Sequence, residues 1–249
     1  MNKTCLIITS CIYPFSTFVE LNDPEEREYL HAEALKKWIN ESNFESIIIC
    51  DNSNYIYSDE LVKLALLKGK KLEVLSFKAD QINGFLYGKG FGEGEIMKYI
   101  MQNSNLIKVH DGFFKVTGKL FVKNYSLINN VRNFDFIFSS PLIFFNSKQA
   151  VDLVFTNFYY AKIESFKQYL MDSYLNVRDN DGIYLEHVYA DALKRCKKRN
   201  KKLRISTMSP IPMIIGKSGS TGNFYSTTKN LKTSILNILL KTFFVKKLN

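Results

Sequence analysis

Acidic residues are missing from the last 58 positions of this chain: all 24 Asp and Glu lie in residues 1–191 beside 20 Lys and Arg, and residues 192–249 hold the other 14 cations alone. The net charge of +10 is therefore −4 followed by +14, an asymmetry that points to a phosphate-bearing partner, whether a nucleotide, a nucleic acid or the anionic face of a membrane. Cysteine is scarce too. Cys5, Cys11, Cys50 and Cys196 form no C-x-x-C pair, which excludes a zinc ribbon and a thioredoxin-type redox centre and leaves reduced thiols as the expectation. The histidines are only His31, His110 and His187. No His-Glu-x-x-His and no Gly-x-Ser-x-Gly occurs, and His31-Ala32-Glu33 lacks the Pro-Cys-x-x-Cys that a zinc deaminase needs.

Apolar runs are short: none reaches the roughly 18 residues of a membrane span, and the one after Met1 is too short for a signal-peptide core, so a cytoplasmic protein is expected. Two nucleotide-binding signatures are absent as well. Gly88 and Gly90 would need a third glycine where Glu93 stands, and Gly216-Lys217-Ser218 would need one where Ile211 stands, so there is neither a dinucleotide fingerprint nor a Walker loop. No internal repeat or low-complexity linker divides the chain. With 249 residues, 46% of them hydrophobic, it can bury a large core and needs no disulfide or metal staple.

What is present alternates. Lys3–Ser10, Ser46–Asp51 and Lys71–Phe77 are apolar runs of buried-strand length, and helical patterns occupy Pro24–Asn40, Ser58–Lys68 and Glu93–Gln102. Strands are also predicted over Phe113–Thr117, Phe134–Phe138 and Val151–Phe158, and helices over Lys162–Tyr174 and Tyr184–Lys197. Continuous apolar strands separated by helices predict an α/β fold with a mostly parallel sheet covered on both faces. Ligands of such sheets bind beyond the carboxyl ends of the strands, which makes Thr9, Ser10, Asp51, Asn52 and Ser53 the first candidates.

Gly88, Gly90, Gly92 and Gly94 alternate with Lys89, Phe91 and Glu93 just ahead of a predicted helix. This reads as a ligand loop whose backbone and Lys89 approach an anion, or as a turn whose Glu93 and Glu95 serve the first turn of the helix. Lys115, Thr117 and Lys119 surround a glycine at a strand end, where two ammonium groups and a hydroxyl would hold a diphosphate without a metal, or would simply face solvent. The Gly216–Gly222 string is either an ordinary loop or a lid over a phosphate-bearing substrate. Asp181 precedes a helix and either caps it or serves chemistry, as do Glu186 and His187 in its first turns. A carboxylate there is a candidate general base for a sugar hydroxyl.

The basic run from Lys194 to Arg204 is a solvated helix end or an anion-binding surface; its composition does not separate the two. Beyond it, Leu231, Ile235, Ile238, Leu239 and Phe243 recur at helical spacing among lysines, the pattern of a cationic amphipathic helix that lies on an anionic membrane or docks on the protein's own core. The predicted division is a domain over 1–222 and a basic amphipathic segment over 223–249.

Taken in order, Thr9-Ser10, Cys50-Asp51-Asn52-Ser53, Tyr87 to Glu95, Phe114 to Lys119 with Val122-Lys123-Asn124, and Tyr184 to Tyr189 resemble small bacterial glycosyltransferases of the GT-A type from capsule and lipopolysaccharide biosynthesis. The resemblance implies a GT-A-like fold, a nucleotide-sugar donor and a lipid-linked or oligosaccharide acceptor met at the inner face of the membrane. By position it implies that Thr9, Ser10, Asp51, Asn52 and Ser53 hold the nucleoside, and that Lys89, Gly90, Glu93, Lys115, Thr117 and Lys119 surround the diphosphate and sugar. Catalysis would fall to Glu186 with Asp181 and His187. GT-A enzymes usually carry an Asp-x-Asp near mid-domain, and here that neighbourhood reads Lys-Val-Thr-Gly-Lys. Manganese or magnesium is therefore not required by the pattern, although it is compatible with the class. A nucleic-acid-binding reading, with Phe224 and Tyr225 among the lysines, ranks below this one because most aromatics sit in apolar runs where core packing explains them.

Overall fold

The computed structural model describes residues 3–14, 19–128, 131–140, 152–219 and 221–225. Strand β1 (Thr4–Ser10) is buried on both faces: Cys5 and Ile7 enter one core, Leu6 and Ile8 the other, because successive side chains of a strand point opposite ways. The same alternation holds in β2 (Ser46–Asp51), where Ile48 and Cys50 oppose Ile47 and Ile49. Between them runs helix α1 (Pro24–Glu41). Its start is set by Asp23, whose carboxylate accepts the Glu25 N–H at 3.2 Å, and by Pro24 in the first turn. Arg27, His31, Ala34, Leu35, Trp38 and Ile39 form its buried stripe. Trp38 anchors the helix by donating Nε1–H to Leu120 O at 2.8 Å.

Helix α2 (Asp59–Leu67) shares that face, and β3 (Lys71–Ser76) follows. The other face is covered by α4 (Lys89–Asn103), α5 (Ile163–Tyr169) and α6 (Leu185–Arg199), which supply Met97, Ile100, Phe166, Tyr189 and Leu193 to the second core. A short α3 (Gln81–Tyr87) precedes α4. With β4 (Gly112–Thr117), β6 (Phe136–Ser139), β7 (Phe155–Lys162) and β8 (Ile205–Thr207), the seven strands run in the order β3-β2-β1-β4-β7-β6-β8. Every pairing is parallel except the two made by β7, which runs antiparallel to β4 and β6. The expected mostly parallel sheet with helices on both faces is therefore observed. The reversal of β7 carries no sequence signal, since a strand buried on both faces shows the same apolar run in either direction. A small antiparallel pair, β5 (Leu120–Val122) with β9 (Ile214–Gly216), stands at the sheet's carboxyl rim.

One expectation is corrected. The glycine string at 88–95 is not a loop ahead of a helix: α4 begins at Lys89 and runs through it. Helix propensity disfavours this by up to about 1 kcal/mol per glycine, but packing requires it. A Cβ on Gly94 would sit 2.1 Å from Tyr174 Cβ, and one on Gly90 3.2 Å from Leu185 Cβ. The amphipathic segment expected at 230–249, and most of the expected 223–249 unit, lie outside the described residues.

Candidate functional site

The carboxyl ends of β1, β2 and β4 open into a single cavity of about 530 Å³, at the place an open α/β sheet offers for a ligand. Of the residues singled out from the sequence, Thr9, Ser10, Asn52, Lys89, Gly90, Glu93, Thr117, Lys119 and Glu186 line it. Asp51, Ser53, Lys115, Asp181 and His187 do not.

The reasons are local. Asp51 is wholly buried and both of its oxygens are engaged: Oδ2 accepts from Ser10 Oγ (2.7 Å) and Ile12 N (2.9 Å), and Oδ1 from Ser53 N (2.7 Å), Ser53 Oγ (2.5 Å) and Tyr55 N (3.2 Å). Asp51 and Ser53 thus shape the loop after β1, and no oxygen is left for a nucleoside. Lys115 is likewise fully buried and donates to Thr117 Oγ1 (3.0 Å) and Thr156 O (2.9 Å), with the Glu93 carboxylate 2.6 Å away. Burial lowers its pKa while Glu93 opposes that shift. All three of its protons are spent inside the protein, so the charge positions Glu93 instead of meeting a phosphate. Asp181 is exposed in a single 3-10 turn. It does not cap α6: the flanking residue there is Tyr184, whose N–H donates to His187 Nδ1 at 3.2 Å. His187 closes that turn, its ring stacked on Tyr184, and is not among the residues that line the cavity.

The cavity is divided by charge. On the side of α1 and the β5–β9 pair stand Arg27, His31, Lys119 and Lys217. Arg27 donates to Cys11 O through Nε (2.8 Å) and Nη2 and to Leu21 O through Nη1 (2.8 Å), pinning the loop after β1. Lys217 pairs with Glu26 at 2.5 Å and lies over the Phe224 ring. Lys119 is 6% exposed and, among the described residues, makes no ion pair. Burial first, then the neighbouring Arg27 and Lys89 charges, push its ammonium down to about 7. His31 is buried beside it, neither ring nitrogen being hydrogen-bonded among the described residues, and burial with Lys119 and Arg27 holds it well below the usual imidazole range. Near Lys119 the stretches Gly216–Gly219 and Thr221–Tyr225 pair through Ser218 N to Asn223 O (2.8 Å) and Tyr225 N to Gly216 O (3.0 Å). Its Gly219 lies so close that an added Cβ would be 2.9 Å from Lys119 Nζ.

The opposite side, between α4 and α6, carries Glu93, Glu95, Asp179 and Glu186. Glu186, in the first turn of α6, accepts from Thr156 Oγ1 at 2.8 Å. Asp179 is 4% exposed and caps α4 from a distance, accepting Gly90 N–H at 3.0 Å; this contact needs Gly88 at φ +92°, where a Cβ would lie 2.4 Å from the Asp179 side chain. Burial raises the Asp179 carboxyl, and it raises Glu95 to about 7, with Asp80 adding to the latter. Lys89 lies at the divide, its charge felt by both Asp179 and Lys119. Arg27, His31, Asp179, Glu95 and Lys217 were not among the sequence candidates. Arg27 and His31 had one usable signal, their i, i+4 placement on the buried stripe of α1.

Near Thr117 the neighbouring charged side chains include the cations Lys119 and Arg27, and among the described residues no three His, Cys, Asp or Glu side chains come together as a metal site.

No protein-family model and no curated protein matches the chain. Sheet order and cavity position define the class instead, a GT-A-like α/β fold. Among solved structures the chain is similar to core-mannan synthase A of Aspergillus fumigatus in its manganese and GDP form, at 10% identity over 94% of this chain and 82% of that one, with a TM-score of 0.50. It is also similar to a chain from Desulfovibrio desulfuricans G20 named for nucleotide-diphospho-sugar transfer, at 14% identity over 84% and 80% of the two chains, with a TM-score of 0.46.

Proposed function

We propose that the protein is a glycosyltransferase that moves a sugar from a nucleotide-sugar donor to a growing surface glycan of the capsule, O-antigen or lipooligosaccharide kind, through a lipid-linked or oligosaccharide acceptor. The observation that carries this reading is the division of one cavity, at the carboxyl edge of a GT-A-like sheet, into a cationic side and a carboxylate side. In the reaction the acceptor oxygen bonds to the anomeric carbon while the bond from that carbon to the diphosphate breaks, and the diphosphate departs with the electron pair. Lys119, with Gly219 close beside its ammonium, meets that developing charge, and Arg27 and Lys217 add to the local potential. Glu186, oriented by Thr156, takes the proton of the acceptor hydroxyl. Asp181 and His187 serve the approach to α6 without touching the reacting atoms. An acceptor at the inner membrane face suits the acid-free residues 192–249, and no helix among the described residues is long and apolar enough to cross a membrane.

Thermal denaturation with UDP-, GDP- and CMP-linked sugars tests the reading. One base should give saturable stabilisation that grows with the logarithm of ligand concentration, and a panel without any shift sinks it. Glu186→Gln should then lower kcat on the order of 10²-fold, with the donor Kd nearly unchanged; an equal loss in donor binding would remove Glu186 from the role of base.

A further inference from the structure

Building on the nucleotide-sugar reading, we infer that the lobe between α4 and α6 accepts an uncharged, hydroxyl-rich sugar and rejects one that bears a carboxylate. Glu93, Glu95, Asp179 and Glu186 all line that side. The cation buried among them, Lys115, is already spent on Glu93, Thr117 and Thr156, so it has no proton for an anionic ligand. A carboxylate placed here would meet like charges in a partly desolvated site, where their repulsion is weakly screened.

The unsatisfied hydrogen-bonding atoms point the same way. Asn52 Oδ1, Asp179 Oδ1, Glu95 Oε2 and Ser139 Oγ are buried and have no hydrogen-bond partner among the described residues, and all four residues line the cavity. Asn52 and Asp179 are each only 4% exposed. The amide of Asn52 is oriented by its Nδ2–H, which reaches Gly92 O at 3.4 Å and leaves the oxygen as the spare group. Asn52 Oδ1 is an acceptor at any pH, the Asp179 and Glu95 oxygens are acceptors in the ionised form that burial disfavours, and the serine hydroxyl serves either role. A buried acceptor without a donor is costly. The ligand that relieves it is one offering several O–H donors on one ring, as a neutral hexose does. A uronate replaces one of those donors with two further acceptors and a charge.

The test compares matched donors with their free diphosphates on the full chain by calorimetry: UDP, UDP-glucose and UDP-glucuronate, then GDP, GDP-mannose and GDP-mannuronate. For the base that binds, the neutral sugar should bind at least tenfold more tightly than the acid, a gap of about 1.4 kcal/mol, and the acid should bind more weakly than the free diphosphate. Glu95→Gln and Glu186→Gln should each narrow the gap by weakening the discrimination against the acid. If a diphosphate binds but the acid sugar binds as tightly as the neutral one, the inference falls while the donor reading stands. If no diphosphate binds, the donor reading falls and takes the inference with it.

Discussion

Lys119→Met is expected to make the free protein more stable and the enzyme far weaker. The ammonium is held at about 7 inside the cavity, against an ordinary 10.5, so between those values the unfolded chain binds a proton that the folded one does not. Stability therefore rises with pH through that window. Below pH 7 both states carry the charge and the folded state bears the full desolvation cost; near pH 10.5 neither does and the cost is gone. Methionine fills a similar volume without that cost. The variant should melt several degrees higher at pH 6.5, with the advantage shrinking steadily toward pH 10. On the proposed donor reading, nucleoside diphosphate affinity should fall roughly 100-fold, and kcat/KM on the order of 10³-fold, because the charge assigned to the leaving group is lost. In the wild type the affinity should decline as pH rises above about 7, by up to tenfold per unit where binding must recapture the proton; in the variant that slope should vanish. A variant that binds diphosphate normally, or that is destabilised at pH 6.5, would remove Lys119 from the site.

Gly94→Ala is expected to lower stability by about 4 kcal/mol. Intrinsic propensity predicts the opposite sign, since alanine in a helix interior is favoured over glycine by about 1 kcal/mol. Geometry outweighs it: the added carbon would lie 2.1 Å from Tyr174 Cβ, which no rotamer change can withdraw, and 2.3 Å from Tyr174 Cγ. Tyr174 is itself 6% exposed and packs edge-on against Phe91 at 5.0 Å, so α4 must shift away from the turn that carries it. Overpacking of this severity belongs to the upper range of single substitutions. Urea denaturation gives the measurement, and an unchanged or higher midpoint would show that the helix and the turn are not packed as described.

The elements with clear patterning were legible in the sequence. Ser46–Asp51 coincides with β2, and α1 differs by one residue at its end, because a four-residue apolar core and an Asp-Pro start leave few alternatives. The glycine string reads as a loop because local propensity speaks against a helix, and the tight partners that require glycine, Tyr174, Leu185 and Asp179, lie far off in sequence. In the site, the strand ends were found by a general rule of parallel sheets, which explains Thr9, Ser10, Asn52 and Thr117. Lys115 was placed with the phosphate ligands although its setting, Phe113-Phe114 before it and Val116 after it, already marked a lysine inside a two-faced buried strand. Such a residue must find its partners within the protein. Asp179 was passed over for Asp181 because adjacent acids in one turn look alike until burial separates them.

Gly219, whose added Cβ would lie 2.9 Å from Lys119 Nζ, belongs to the β9 end of the chain, whereas that ammonium sits beside β5, about a hundred residues earlier. During translation β1 to β4 and both helices that carry the cavity's carboxylates leave the ribosome before this glycine does, so the surroundings of Lys119 are completed late in synthesis.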